Sequence, residues 1–213
     1  RPVQTLKVFV SFLNDREMRM DEATTERVLQ DSMFELDNLS AYLGKLKDMV
    51  CADERETLLR PSAFNLRELV EKVVRLTNIP AGKKVSFSTA FPPDMPDLTA
   101  DPVHVANVLS NLIENAIKYS GEEVNIDIVV LWNQQGVELT VSDNGFGIAP
   151  DERRKVFEKF YRSSHLPDKQ IPGIGLGLSY VRQIVEAHHG SVSLRSELGE
   201  GTRITINLPT TAL

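Results

Sequence analysis

Hydrophobic residues recur every three or four positions through about the first fifty residues, and that spacing then gives way to short alternating runs. Val3, Leu6, Val10 and Leu13 form one row; Leu29, Met33, Leu36, Leu39, Leu43, Leu46 and Val50 form a second. A row with this spacing lies along one face of an α-helix. The polar stretches Asn14-Asp15-Arg16-Glu17 and Asp21-Glu22-Ala23-Thr24 between them read as a turn and a new helix start. Two helices with one narrow apolar stripe each enclose no core alone. The hairpin therefore pairs with a second hairpin in a four-helix bundle, or it packs on the rest of the chain. Periodicity does not separate these outcomes.

Beyond a mixed-charge linker containing Pro61, helices and strands alternate. Asn65-Leu66-Arg67-Glu68 is a capping-box start for a helix carrying Leu66, Leu69, Val70, Val73 and Val74 on one side. Val85 and Phe87 alternate with serines as in a strand, and the prolines of Phe91–Pro96 mark a loop. Asp101-Pro102 starts a second helix, with proline at its first position, running to about Tyr119. Asn125–Trp132 and Val137–Ser142 read as one hairpin, Ser191–Ser196 and Thr202–Leu208 as another, with a helix over about Leu178–His188 before the latter. The fold class is α+β: a helical hairpin over 1–52, a linker over 53–64, and an α/β sandwich over 65–210 with helices on one sheet face.

The formal charge of −6 argues against a nucleic-acid partner, which calls for a basic domain or stripe. One cysteine, Cys51, cannot form an intramolecular disulfide, which fits a reducing, cytoplasmic setting. The apolar runs are short and interrupted by charge, so any membrane association belongs to a sensor region upstream. An opening Arg1 in place of methionine reads as a fragment of a longer protein.

Four clusters follow in order. Asn111, Asn115 and Lys118 share one helix face, where two carboxamides and an ammonium suit a metal–phosphate group as well as a solvated stripe. Asp143-Asn144-Gly145-Phe146-Gly147-Ile148 sets a carboxylate at a strand end before two glycines, which serves a ligand amine or an ordinary turn. Val156-Phe157-Glu158-Lys159-Phe160-Tyr161-Arg162 places two phenylalanines that read as core beside an arginine for phosphate. Gly173-Ile174-Gly175-Leu176-Gly177-Leu178 opens a helix, whose bare N–H groups attract phosphate; alone it is a weak signal.

In this order the clusters resemble the N, G1, F and G2 boxes of the Bergerat-fold ATPases, in their sensor histidine kinase branch. The closing run Ile184–Gly190, Ser196, Gly199, Gly201-Thr202 and Leu208-Pro209 is similar to that family's last hairpin. The resemblance covers about Phe64 to Pro209 and agrees with a dimerising hairpin before it, so the sandwich is expected to be of the Bergerat ATP-binding type. It implies ATP and Mg²⁺ as ligands. Asp143 would bind adenine with Thr202 assisting, and Asn115, with Asn111 beside it, would coordinate the metal. Lys118, Tyr119 and Arg162 would face phosphate or ribose, and Tyr161 would be a further ATP-binding residue. Gly145, Gly147, Ile148, Gly173, Gly175, Leu176, Gly177 and Leu178 would line the site, with an ATP lid over about Ile148–Ile174. It also implies a homodimer through the hairpin, a response-regulator receiver domain as partner, and γ-phosphoryl transfer to a histidine and onward to an aspartate.

The sequence departs from relatives in three places. Gyrase-like and chaperone relatives carry a water-activating glutamate where Asn111 stands, so transfer to protein is favoured over hydrolysis. Ile171-Pro172 precedes Gly173 where many relatives are richer in glycine. The family's acceptor histidine lies a few residues before a pair matching Pro2-Val3, so it is expected upstream of Arg1. His104, His165, His188 and His189 read as structural or solvated. A degenerate kinase serving as a nucleotide-binding module and a hydrolysing ATPase are the alternatives.

Overall fold

Along strand β4 (Glu123–Asn133) Val124, Ile126, Ile128 and Val130 are buried while Asn125, Asp127, Val129 and Leu131 are exposed, so one sheet face is covered and the other open. The computed structural model describes residues 59–133, 135–165, 171 and 173–209. The expected hairpin, with Leu39 and Leu43 on its seam, lies outside the described residues. So do residues 166–170 and Pro172 of the expected lid. The chain divides into two units, Arg1–Glu56 and Thr57–Leu213, and the described residues all belong to the second.

Its main sheet has the order β2-β4-β5-β7-β6, with β2 Lys84–Ala90, β5 Gly136–Asp143, β6 Ser191–Glu197 and β7 Gly201–Pro209. Strand β2 runs parallel to β4, and the other neighbours are antiparallel. Helices α1 (Leu66–Leu76), α2 (Pro102–Lys118) and α3 (Gly177–Ala187) contribute to the core that covers one face. This is the mixed α/β sandwich expected from the alternation of periods. In α2, Val105, Val108, Leu109, Leu112, Ile113, Ala116 and Ile117 are all buried, and each fully buried aliphatic residue contributes about 1.5–3 kcal/mol.

Two elements differ from the sequence reading. Ser62–Phe64, at the end of the expected linker, is a strand, β1, paired antiparallel with β3 (Leu98–Ala100) in a small second sheet. Strands of three residues are too short for alternation to announce them. The capping Asn65 behaves as expected, its Oδ1 accepting from Glu68 N at 3.1 Å.

The start of α2 is pinned from three directions. Asp101 Oδ1 accepts from the backbone N–H groups of Val103 and His104 at 3.0 and 3.1 Å, and Oδ2 accepts from Arg60 N at 2.8 Å. The backbone N–H of Asp101 donates to His188 Nε2 at 3.0 Å, which places the imidazole proton on Nδ1, facing the Ile184 carbonyl at 2.8 Å. The ring is buried, and burial holds its pKa below the ordinary 6.5, with the nearby His104 and His189 acting in the same direction. Asp101 also feels burial, but its three N–H donors outweigh it and lower its pKa.

His188 therefore gives stability a definite pH slope. Below about pH 6.5 the unfolded chain takes up a proton that the folded ring refuses, so stability falls as pH falls. The expected result is a urea midpoint that drops between about pH 7 and pH 5 in the wild type and drops less steeply in His188→Gln. Equal slopes in the two proteins count against a neutral buried His188.

Candidate nucleotide site

The face of α2 opposite its apolar stripe carries the polar residues. Asn111 Nδ2 donates to the Asn107 carbonyl one turn back at 2.8 Å, which turns its Oδ1 away from the helix. That oxygen meets the first residue of α3: a Cβ built on Gly177 would stand 3.1 Å from Asn111 Oδ1. It would also stand 3.5 and 3.8 Å from the amide nitrogen and oxygen of Asn115. Leu176, the N-cap of α3, makes no side-chain capping bond, so the first N–H groups of this helix depend on other partners. Two carboxamides thus lie against a helix N-terminus, with glycine allowing the approach.

One turn further along α2, a side chain on Gly173 would collide with Lys118 Nζ, which also sits 4.8 Å from the centre of the Tyr119 ring. Burial raises the Tyr119 pKa, and the nearby Arg162 charge opposes the rise. Arg162 Nη2 donates to the Ile171 carbonyl at 2.5 Å. Lys118, Tyr119, Arg162 and Gly173 therefore converge beyond the two asparagines.

The G1 loop closes on the same end of α2, with Phe146 N donating to the Tyr119 carbonyl at 2.8 Å. Asp143, the last residue of β5, pairs in register with Thr202 on β7. Its Oδ1 accepts from Gly145 N at 2.8 Å and Thr202 N at 3.2 Å. Among the described residues Oδ2 accepts no hydrogen bond. Burial raises the Asp143 pKa against those two N–H donors. Ser196 ties the loops together behind it: its hydroxyl donates to the Gly201 carbonyl at 2.7 Å, accepts from Ile148 N at 2.8 Å, and lies 3.0 Å from Thr202 Oγ1.

Gly175 has φ +78°, and a side chain there would strike the backbone of Phe160 and Tyr161. Phe160 N donates to the Gly175 carbonyl at 2.9 Å, so the F and G2 segments lie back to back. Leu176 is buried, and Leu178 packs against the core. Gly147 backs onto the Glu197 carbonyl.

The structure corrects one expectation and adds one residue. Phe157 is core, but Phe160 is 63% exposed and has a positive φ of 66°, so it is not. Glu152 is 1% exposed and accepts hydrogen bonds from the hydroxyls of Tyr161, Ser163 and Ser164 and from Ser164 N. It stands in the charged run Asp151-Glu152-Arg153-Arg154-Lys155, where nothing local sets it apart from its solvated neighbours. Tyr161 accordingly presents its backbone, rather than its hydroxyl, to Gly175.

The donor set fits both expected ligands. A free carboxylate oxygen beside a glycine loop suits an exocyclic amine, and carboxamide oxygens suit a hard cation such as Mg²⁺. Among the described residues no group of three or more His, Cys, Asp or Glu could hold a metal alone, so an ion here takes its other ligands from phosphate oxygens and water.

Residues 100–212 match the model of the histidine kinase-, DNA gyrase B-, and HSP90-like ATPases. The chain belongs to that family. Among its relatives is the adaptive-response sensory kinase SasA of a Synechococcus species, 31% identical over 91% of this chain and 52% of the relative. The ShkA structure in complex with AMPPNP covers 100% of this chain and 47% of its own, with a TM-score of 0.75 at 21% identity. The histidine kinase ThkA in complex with the response regulator protein TrrA covers 99% of this chain and 59% of its own, with a TM-score of 0.69 at 21% identity. This chain spans about half the length of the curated relatives it matches. Within the ATPase family it is a sensor histidine kinase ATP-binding core. Among the described residues no helix is long and apolar enough to cross a membrane.

Gly177 offers a direct test of the asparagine pair. Alanine at this position keeps the helical backbone, but its methyl presses on Asn111. Gly177→Ala is expected to stay folded, with a single melting transition, while losing most of the melting shift produced by Mg²⁺–ATP. An undiminished shift removes Asn111 and Asn115 from the ligand site.

Proposed function

We propose that this chain is the kinase core of a two-component sensor histidine kinase, which transfers the γ-phosphoryl of ATP to a histidine and from there to a response-regulator aspartate. The observation that carries the reading is the pair of carboxamides of Asn111 and Asn115 against the N-terminus of α3, with Lys118 at Gly173 beside them. Asp143 receives the adenine amino group, with Thr202 adjoining. Asn115, and Asn111 next to it, would hold Mg²⁺, which neutralises charge on the phosphates when bound. Lys118 and Arg162 bring further positive charge to the phosphate end. In the transfer the bond from the γ-phosphorus to the bridging oxygen breaks, a phosphorus–nitrogen bond forms to the imidazole, and ADP leaves with the bridging electron pair.

An asparagine at 111 favours transfer over hydrolysis, because a carboxamide, unlike a carboxylate, offers no general base for water. The acceptor is a histidine other than the four in this chain. His188 is buried between Asp101 and Ile184; His104 Nδ1 lies 2.9 Å from the Tyr180 hydroxyl; His165 leans on Glu152; and His189 follows the end of α3. The same reading takes in a homodimer through the first fifty or so residues, a receiver domain as partner and a cytoplasmic location.

Two experiments test it. Asp143→Ala is expected to abolish ATP and ADP binding in calorimetry, whereas Asn115→Ala loses the Mg²⁺-dependent part and keeps metal-free ADP binding. Near-wild-type affinity in Asp143→Ala ends the adenine assignment. In the second, the chain is incubated with γ-labelled ATP and Mg²⁺. It is expected not to label itself, while a chain extended upstream by one or two helical turns labels on one histidine, with an acid-labile, base-stable bond. Self-labelling at His104, His165, His188 or His189 overturns the placement of the acceptor.

A further inference from the structure

Glu152 has no assigned part in the nucleotide site, yet it is among the most deeply buried side chains of the unit. Its Oε1 accepts from the Tyr161 hydroxyl at 2.9 Å, from Ser164 N at 2.9 Å and from the Ser164 hydroxyl at 3.0 Å. Oε2 accepts from the Ser163 hydroxyl, and His165 Nδ1 lies 3.2 Å from Oε1. Burial alone pushes a carboxyl pKa up, but these donors together bring it down to about 2, so Glu152 is a carboxylate at neutral pH. Its charge in turn helps push the Tyr161 phenol up to about 12, after the larger effect of burial, which keeps that hydroxyl a donor.

The pattern of donors has a geometric consequence. Tyr161 and Ser163 both turn their side chains to Glu152, as does Ser164, so one carboxylate ties the chain on both sides of the residue that lies between the first two. The residue between them is Arg162. It faces Ile171 and Tyr119, on the side where Lys118 and Gly173 meet. Its backbone neighbours Phe160 and Tyr161 are held against Gly175. An arginine on an irregular segment has no helix or strand to aim it, and a buried multidentate carboxylate supplies that aim.

We infer that Glu152 is a positioning residue for the nucleotide site, holding Tyr161 and Ser163 so that the Arg162 guanidinium meets the terminal phosphate of ATP. The inference rests on the nucleotide reading above. Glu152 touches no ligand; it acts through Arg162. Loss of its charge therefore affects a ligand that reaches Arg162 and spares one that does not.

Calorimetry of the full chain with Mg²⁺–ATP and Mg²⁺–ADP, and with the variants Glu152→Gln, Arg162→Ala and both together, tests this. A lost charge-assisted contact to phosphate is expected to weaken ATP binding about tenfold in each single variant, with ADP changed by less than about twofold. The double variant is expected to bind ATP within about twofold of Arg162→Ala, because the two residues act in series. Glu152→Asp, which keeps the charge, is expected to recover part of the loss. Should Glu152→Gln fail to fold by thermal melting, Tyr161→Phe and Ser163→Ala decide. Each removes one donor, an ATP-selective loss supports the inference, and none overturns it. Equal losses for ATP and ADP in Glu152→Gln, additive losses in the double variant, or no effect of Arg162→Ala overturn it while leaving the site reading in place. A wild-type chain that binds neither nucleotide overturns both.

Discussion

Helix α2 has to satisfy two environments at once, and most of the unit is arranged around that requirement. One of its faces is buried in the core that covers the sheet, and the other presents Asn111, Asn115 and Lys118. A helix buried on one side cannot rotate without exposing valine, leucine and isoleucine, so the polar row is aimed by the hydrophobic one. Its start is fixed by Asp101, which gathers N–H groups from Arg60, Val103 and His104 while its own N–H goes to His188. Its end is held by Lys83, whose ammonium donates to the carbonyls of Ile117 and Ser120. The helix is thus set in register at both ends as well as in rotation.

The remaining parts of the site are brought to this helix by close backbone approach. Gly177 lets α3 meet the asparagines, Gly175 lets the F segment lie against the G2 loop, and Gly201 lets β7 pass the Asp143 carbonyl. Ser196 then joins the G1 loop to the start of β7 by a single hydroxyl. Such contacts cost little in a folded sheet whose strands already align Asp143 with Thr202. Elsewhere the chain is less regular, and buried charge takes over the task. Glu152 orders the segment around Arg162 with hydrogen bonds that no ladder supplies.

Much of this was legible beforehand. Helix α2 announced itself through Asp101-Pro102 and its apolar spacing, and the polar row followed from the helical period. The two hairpins showed alternation over enough residues to be read, and Asn65 marked its own helix start. The family resemblance came from four clusters that were each weak alone. Strands β1 and β3 were hidden because three residues carry no period. Phe160 was misread as core because an aromatic residue in an apolar run is usually buried. Here its positive φ and its bond to Gly175 turn the ring outward.

The sequence by itself determined the longer helices and strands of the described unit, which faces of them are apolar, and which side chains of α2 must lie together. Those properties depend on residues a few positions apart, whose relation is set by the helical or extended period. Only the tertiary structure decided what meets across the fold. The parallel pairing of β2 with β4, the pairing of His188 with Asp101 and the convergence of Gly173 on Lys118 each join residues far apart in the chain. Glu152 is the clearest case. In the sequence it is one charge in a charged run, and only folding removes it from water and surrounds it with hydroxyl donors.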